Sequence, residues 1–159
     1  MPAPVFILRG VSGSGKSTIA KVIKDAWDDT IVATADQDVI DSCPCVIISA
    51  DNHFVGLDGV YRFDPKKLNA AHIAAKANFT MALENPHAAI VVDSTNTRRW
   101  EYNDYIVAAE RVGRPIEVIR VDCDPALAAS RNAHGLPLEM VMRQYNRFED
   151  DERDARITI

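Results

Sequence analysis

The stretch Gly10-Val11-Ser12-Gly13-Ser14-Gly15-Lys16-Ser17-Thr18 constrains this chain more than any other. It reads G-x-x-x-x-G-K-S and follows the apolar run Val5-Phe6-Ile7-Leu8 directly. A strand, a glycine-rich loop and then a helix form the context in which this pattern means phosphate binding. The glycines let backbone N–H groups turn inward around phosphate oxygens, and the following helix adds its N-terminal dipole. Lys16 is expected to reach the β- and γ-phosphates, and the Ser17 hydroxyl to ligate Mg²⁺. Gly10, Ser12, Gly13, Ser14, Gly15, Lys16, Ser17 and Thr18 are therefore the expected nucleotide-binding residues, with ATP and Mg²⁺ as cofactors. The motif names a donor. It does not name what receives the phosphate.

Length and composition narrow the class. The 159 residues suit one domain with a proper core, here taken as 1–159. A net charge of −5 argues against a mainly non-specific nucleic-acid binder, which needs a basic face, although a local basic channel stays open. No apolar run is long enough to span a membrane. The start, Met1-Pro2-Ala3-Pro4, runs straight into the first strand, so no signal peptide is expected. Cys43, Cys45 and Cys123 fit neither a zinc site nor a disulfide framework, and read as buried or incidental thiols of a reducing cytoplasm.

Apolar runs and helical periods alternate along the chain. Strands are predicted at Val5–Leu8, Val46–Ile48, Ala88–Val92 and Ile116–Val121, with Arg156–Ile159 as a last edge strand. Ile19, Ala20, Val22, Ile23, Ala26 and Trp27 share one helical face. Leu68, Ala71, His72, Ala75, Phe79, Ala82 and Leu83 share another, begun by Asp64-Pro65 and with His72 expected in the core. Tyr102, Tyr105, Ile106, Ala109 and Val112 form a third stripe, closed by Gly113 and Pro115. Two short helices, near 125–133 and 138–147, are broken by His134-Gly135-Leu136-Pro137 and are expected to form a lid over 125–147. The alternation predicts an α/β, three-layer sandwich of the P-loop NTPase type, with a parallel sheet of about five strands and a helical lid. Ligands then bind at the carboxyl ends of the strands. The acidic run Glu149–Asp154 is expected to be a solvated face or turn.

Phosphoryl transfer asks for positioning and charge neutralisation more than covalent help. Asp51, at the end of the second strand, is the first choice for a carboxylate that accepts the acceptor's proton. The alternatives are a capping or turn role for Asp51, or Asp36 and Asp38 in its place, because Ile31–Thr34 can also be read as the second strand. Asp93 ends the third strand and is expected to help hold Mg²⁺, unless it caps the next helix. Thr95 and Asn96 are placed to touch the acceptor or to shape their loop. Arg98 and Arg99 either neutralise a phosphate on the acceptor or face solvent. Arg131, on the lid, either stabilises the transferring phosphoryl group or makes a surface salt bridge. Lys16, Asp51 and Arg131 are the catalytic candidates, and Ser17 and Asp93 the metal candidates.

Taken together these segments resemble the P-loop kinases related to phage polynucleotide kinase. The likeness is strongest to small kinase-like domains of phages and of some eukaryotic ubiquitin-ligase-binding proteins. It runs through Gly10–Thr18, Ile48-Ser49-Ala50-Asp51-Asn52-His53-Phe54, Tyr61-Arg62-Phe63-Asp64-Pro65, Ala71-His72, Val92–Thr97, Trp100-Glu101, Tyr105 and Arg131-Asn132-Ala133-His134-Gly135-Leu136-Pro137. It leaves out about 28–45, which reads as an insertion. The resemblance implies an ATP-dependent kinase with a hydroxyl on a nucleic acid as acceptor. That hydroxyl is a polynucleotide 5′-hydroxyl or the hydroxymethyl group of a modified pyrimidine in DNA. It implies Asp51 as general base and Arg131 as lid arginine. It fits a cytoplasmic protein, in the host if phage-encoded. Two departures stand out: Asn52 replaces a second acidic residue, and no arginine follows in Asn52–Val55. A small-molecule kinase is a second reading, because the loop also looks like that of gluconate kinases. A nucleotide-binding switch without turnover is a third.

Overall fold

The computed structural model describes residues 1–34 and 44–159. Five strands form one wholly parallel sheet: β1 (Val5–Arg9), β2 (Cys45–Ile48), β3 (Ala89–Asp93), β4 (Ile116–Asp122) and β5 (Asp154–Thr158), in the order β2-β3-β1-β4-β5. β1 and β3 are central and nearly apolar throughout, as strands covered on both faces must be. Val5 pairs with Ile90 on one side and Ile116 on the other, so β2, β3, β1 and β4 end at the same level. All carboxyl ends therefore point to one edge of the sheet, where ligands of such folds bind.

The helix α1 (Lys16–Thr34) covers one face. Ile19, Ala20, Ile23 and Trp27 pack there against Leu8, Ala89 and Val91. Val22 and Ala26, predicted on the same stripe, are exposed, because the buried face is narrower than the sequence stripe. The helices α2 (Leu68–Leu83) and α3 (Arg99–Arg111) cover the other face. Ala71, Ala75 and Phe79 of α2 meet Tyr102, Tyr105, Ile106 and Ala109 of α3 over Val5, Ile7, Ile90 and Val92. His72 is exposed rather than in the core, because the buried residues of α2 recur every four positions from Ala71 and turn the next position outward. Asp64 caps a single 3₁₀ turn, Pro65–Lys67, that leads into α2. Two short helices, α4 (Pro125–Arg131) and α5 (Leu138–Asn146), occupy the predicted 125–147 region. The region 28–45 begins inside α1 and ends at β2. Asp36, Asp38 and Cys43 lie outside the described residues.

An arginine at the end of β1 organises the edge where the strands finish. Arg9 is fully buried. Its guanidinium pairs with Asp154 at 2.6 Å and donates to the carbonyls of Asn96, Thr97 and Glu149. It also lies over the rings of Tyr102 and Phe148. The run 149–154 is thus not simply a solvated turn. Asp154 meets Arg9, and the buried Asp151 accepts from Tyr102 Oη at 2.6 Å and pairs with Arg153. Arg153 and Tyr102 hold the Asp151 carboxyl well below the usual carboxylate range despite its burial. Removing one partner of such a buried pair strands the other charge. Arg9→Met is expected to destabilise the fold by about 3–5 kcal/mol, measured by urea unfolding. A change below about 1 kcal/mol would contradict this role.

Candidate active site

The glycine-rich loop joins β1 to α1, and its shape follows from what crowds it. Gly13 has φ 81°, and a Cβ there would lie 2.0 Å from the Ala128 carbonyl of α4. At Gly10 a Cβ would meet Ser14 Oγ at 2.6 Å. Any side chain at either position therefore displaces the loop. Ser14 is fully buried, its N–H donates to the Val11 carbonyl, and its Oγ has no partner among the described residues. Gly10 and Ser14 thus support the loop from behind. Ser12, Gly13, Gly15, Lys16, Ser17 and Thr18 line a cleft of about 530 Å³. The first-turn N–H groups of α1 lack intrahelical acceptors by helix geometry, which suits an anion at this position.

The cleft brings both halves of the predicted site together. Asp51, Asp93, Ser94, Thr95, Arg131 and His134 line it beside the loop. β2 and β3 are paired neighbours, which places Asp51 and Asp93 at adjacent strand ends. Asp51 is not a helix cap. Ser49 caps the 3₁₀ turn Ala50–Phe54 by accepting from the Asp51 N–H, and the Asp51 side chain is half exposed. Asp93 is not a cap either. Glu101 Oε2 accepts from the Thr97 N–H at the start of α3, and Asp93 instead accepts from Ser17 Oγ at 2.9 Å. Burial raises the Asp93 carboxyl above the ordinary carboxylate range, against the pull of Lys16. Burial lowers the Lys16 ammonium to about 8, while the charges of Asp93 and Asp51 oppose the shift.

The donor set fits the cofactors that the motif implies. A hydroxyl and a carboxylate at hydrogen-bond distance are hard oxygen ligands of the kind that hold Mg²⁺ together with substrate phosphates. Ser17 and Asp93 would hold the ion, and Lys16 with the loop N–H groups would hold the phosphates. Arg131 donates to the Gly13 carbonyl at 2.8 Å and the Ser14 carbonyl at 3.0 Å, so its guanidinium sits on the loop rather than in a surface salt bridge. Gln144 of α5 fixes the same loop by accepting from the Ser12 N–H and donating to Ser12 Oγ.

Three of the residues placed at the acceptor by sequence are engaged elsewhere. Asn96 is buried with φ 45°, and its Nδ2 donates to the Leu8 carbonyl, so its side chain braces β1. Arg98 pairs with Glu149, and Arg99 pairs with Glu152 and donates to the Asp150 carbonyl. Both arginines tie α3 to the 149–152 segment, and neither lines the cleft. Thr95 does line it, while its carbonyl accepts from the Gly10 N–H. Two lining or neighbouring groups were not singled out by sequence. The His134 and Tyr61 rings stack at 4.1 Å, and His134 Nδ1 lies 3.8 Å from Asp51 Oδ2. Their place in the segments Tyr61–Pro65 and Arg131–Pro137 was the available signal.

Residues 5–135 match the AAA domain family AAA_33. The chain belongs to that family. A human relative, NEDD4-binding protein 2, is 28% identical over 149 residues. The alignment takes in 91% of this chain and 8% of that protein, so the chain spans a small part of its relative. Among solved structures, Kti12 from Chaetomium thermophilum in complex with ADP-AlF3 superposes with TM-score 0.68 at 16% identity, covering 98% of this chain and 88% of that one. A chain of the Pnkp1/Rnl/Hen1 RNA repair complex gives TM-score 0.64 at 17% identity, covering 92% and 44%. A gluconokinase from Sinorhizobium meliloti 1021 gives 0.61 at 15%, covering 99% and 83%. The architecture is therefore the P-loop kinase-like fold. Among the described residues no helix is long and apolar enough to cross a membrane.

The low Lys16 pKa makes a pH prediction. Phosphate favours the ammonium form, so affinity for nucleotide is full below about 8 and falls as pH rises through that value. Calorimetric titration of ADP is expected to show roughly tenfold weaker binding one pH unit above that value than one unit below. Lys16→Met is expected to bind weakly at both. Equal affinity of the unmodified protein at both pH values would contradict the assignment.

Proposed function

We propose that this protein transfers the γ-phosphate of ATP to a hydroxyl on a nucleic acid, with Asp51 as general base. One observation carries the reading. A half-exposed carboxylate, Asp51, shares a single cleft with the phosphate loop, Lys16 and Arg131, yet caps no helix. A carboxylate so placed has the acid–base chemistry a hydroxyl acceptor needs.

In this reading the acceptor oxygen attacks the γ-phosphorus while Asp51 takes its proton. The bond from the γ-phosphorus to the bridging oxygen breaks, and ADP leaves. Lys16, Arg131 and the loop N–H groups balance the charge that spreads over the phosphoryl oxygens. Mg²⁺, held at Ser17 and Asp93, would supply further charge neutralisation when bound. The helices α4 and α5 serve as the lid, joined to the loop through Arg131 and Gln144. In this reading Asp51 and Thr95 face the acceptor, with His134 beside Asp51 and Tyr61 stacked on His134, while Asn96, Arg98 and Arg99 are engaged elsewhere.

The nucleic-acid class is supported by the ordered likeness to polynucleotide kinases and by the aromatic pair beside Asp51, since rings hold bases by stacking. The likeness to one chain of an RNA repair complex is consistent with it. A small hydroxyl acceptor is the second reading, favoured by the fold shared with a gluconokinase.

Incubation with γ-labelled ATP and a 5′-hydroxyl oligonucleotide or hydroxymethyl-pyrimidine DNA tests the proposal. Label is expected on one of the two. Asp51→Asn is expected to keep ADP binding and lose roughly 10²–10⁴-fold in turnover. Label on neither nucleic acid, with ADP released on addition of a sugar or nucleoside, would overturn the acceptor class.

A further inference from the structure

The loop between α4 and α5 touches both halves of the cleft. Arg131, at its start, grips the carbonyls of Gly13 and Ser14 on the donor side. Three residues on, His134 reaches the acceptor side, where Nδ1 lies 3.8 Å from Asp51 Oδ2. The loop between them is not slack. Asn132 Nδ2 donates to the carbonyls of Ala129 and Leu136, and Asn132 Oδ1 accepts from the Leu136 N–H at 2.8 Å. Gly135 takes φ 67°, which turns the chain back toward α5. Arg131, Asn132 and Gly135 of R-N-x-H-G-x-P therefore each have a mechanical task, and His134 is the position of the motif that stands beside Asp51.

The ring of His134 is braced from behind. It stacks on Tyr61 at 4.1 Å with 9° between the planes. Tyr61 in turn packs edge-on against Phe54, which is buried at the end of the same 3₁₀ turn that carries Asp51. Burial together with the nearby Asp51 charge pushes the Tyr61 phenol up to about 12. Asp51 thus stands beside a stacked pair of rings, His134 from the loop between α4 and α5 and Tyr61, which bridges antiparallel to Val55.

We propose that His134 is a positioning residue for the acceptor step, fixing the Asp51 carboxylate relative to the phosphate loop that Arg131 holds. This rests on the reading of Asp51 as general base. The Tyr61 stack sets the plane of the imidazole, and Nδ1 sets where the carboxylate stands. The spacing from Arg131 to His134 then acts as a ruler between donor loop and base.

Two variants separate this role from simple packing. His134→Phe keeps a ring on Tyr61 and removes Nδ1, whereas His134→Ala removes both. Each is expected to lower kcat for acceptor phosphorylation roughly tenfold, within the range of couplings between touching residues, with KM for ATP unchanged. In an Asp51→Asn background the same changes are expected to have less than about twofold effect, because they act through the carboxylate. Full turnover in His134→Phe, or an equal loss in both backgrounds, would overturn the proposal. A second readout needs no acceptor. The ring ¹⁵N shifts of His134 are expected to move on Asp51→Asn, and unmoved shifts would also overturn it. Absence of transfer by the unmodified protein counts against Asp51 as base, while the ¹⁵N shifts still report on the contact itself.

Discussion

The buried guanidinium of Arg9 is the interaction on which the functional edge depends. It stands one residue before the phosphate loop and reaches Asp154 at the start of β5, Glu149 after α5, and Asn96 and Thr97 after β3. Two stretches far from Arg9 in sequence, 96–97 and 149–154, thus share one cation. A buried charge without partners is costly, and Arg9 avoids the penalty through a carboxylate, three carbonyls and two rings. The arrangement fixes the loop after β3, and with it Asp93 and Thr95, against the glycine-rich loop. It also explains why Asn96 adopts φ 45° and points inward: its carbonyl serves Arg9 and its amide serves Leu8.

From that edge the cleft reads as two sites that meet. On the donor side, the loop, Lys16 and the Ser17–Asp93 pair form an electrostatic cradle whose lysine is strongly desolvated. On the other side, Asp51 stands just past the end of β2, beside the stacked rings of His134 and Tyr61. The loop between α4 and α5 contacts both. The arginines expected to hold the acceptor instead anchor α3 to the segment that follows α5. The cleft beside Asp51 therefore holds fewer cations than the sequence suggested.

The sheet was legible because a parallel sheet buried on both faces writes long apolar runs into the sequence. β1 and β3 are such runs, and the turn residues between them are distinctive. The phosphate loop was legible because its chemistry depends on backbone shape, which glycine spacing records. Asp51 and Asp93 followed from standing at strand ends. Arg9 was not legible, because its partners lie up to 145 residues away and a charged strand residue looks like an exposed one. The partners of Asn96, Arg98 and Arg99 were illegible for a related reason. Their position after a strand fits ligand binding, and only the path of 149–154 shows what engages two of them. His134 carries no distinctive spacing of its own, and its place beside Asp51 emerges only when the loop between α4 and α5 packs against Tyr61.

In the proposed reaction donor and acceptor meet in one cleft, and Asp51 moves a proton without forming a bond to phosphorus. The stereochemical course of transfer from ATP made chiral at the γ-phosphorus tests this most directly. Direct attack by the acceptor oxygen predicts inversion at phosphorus. Retention, which requires two successive displacements through a phosphorylated enzyme, would contradict the account.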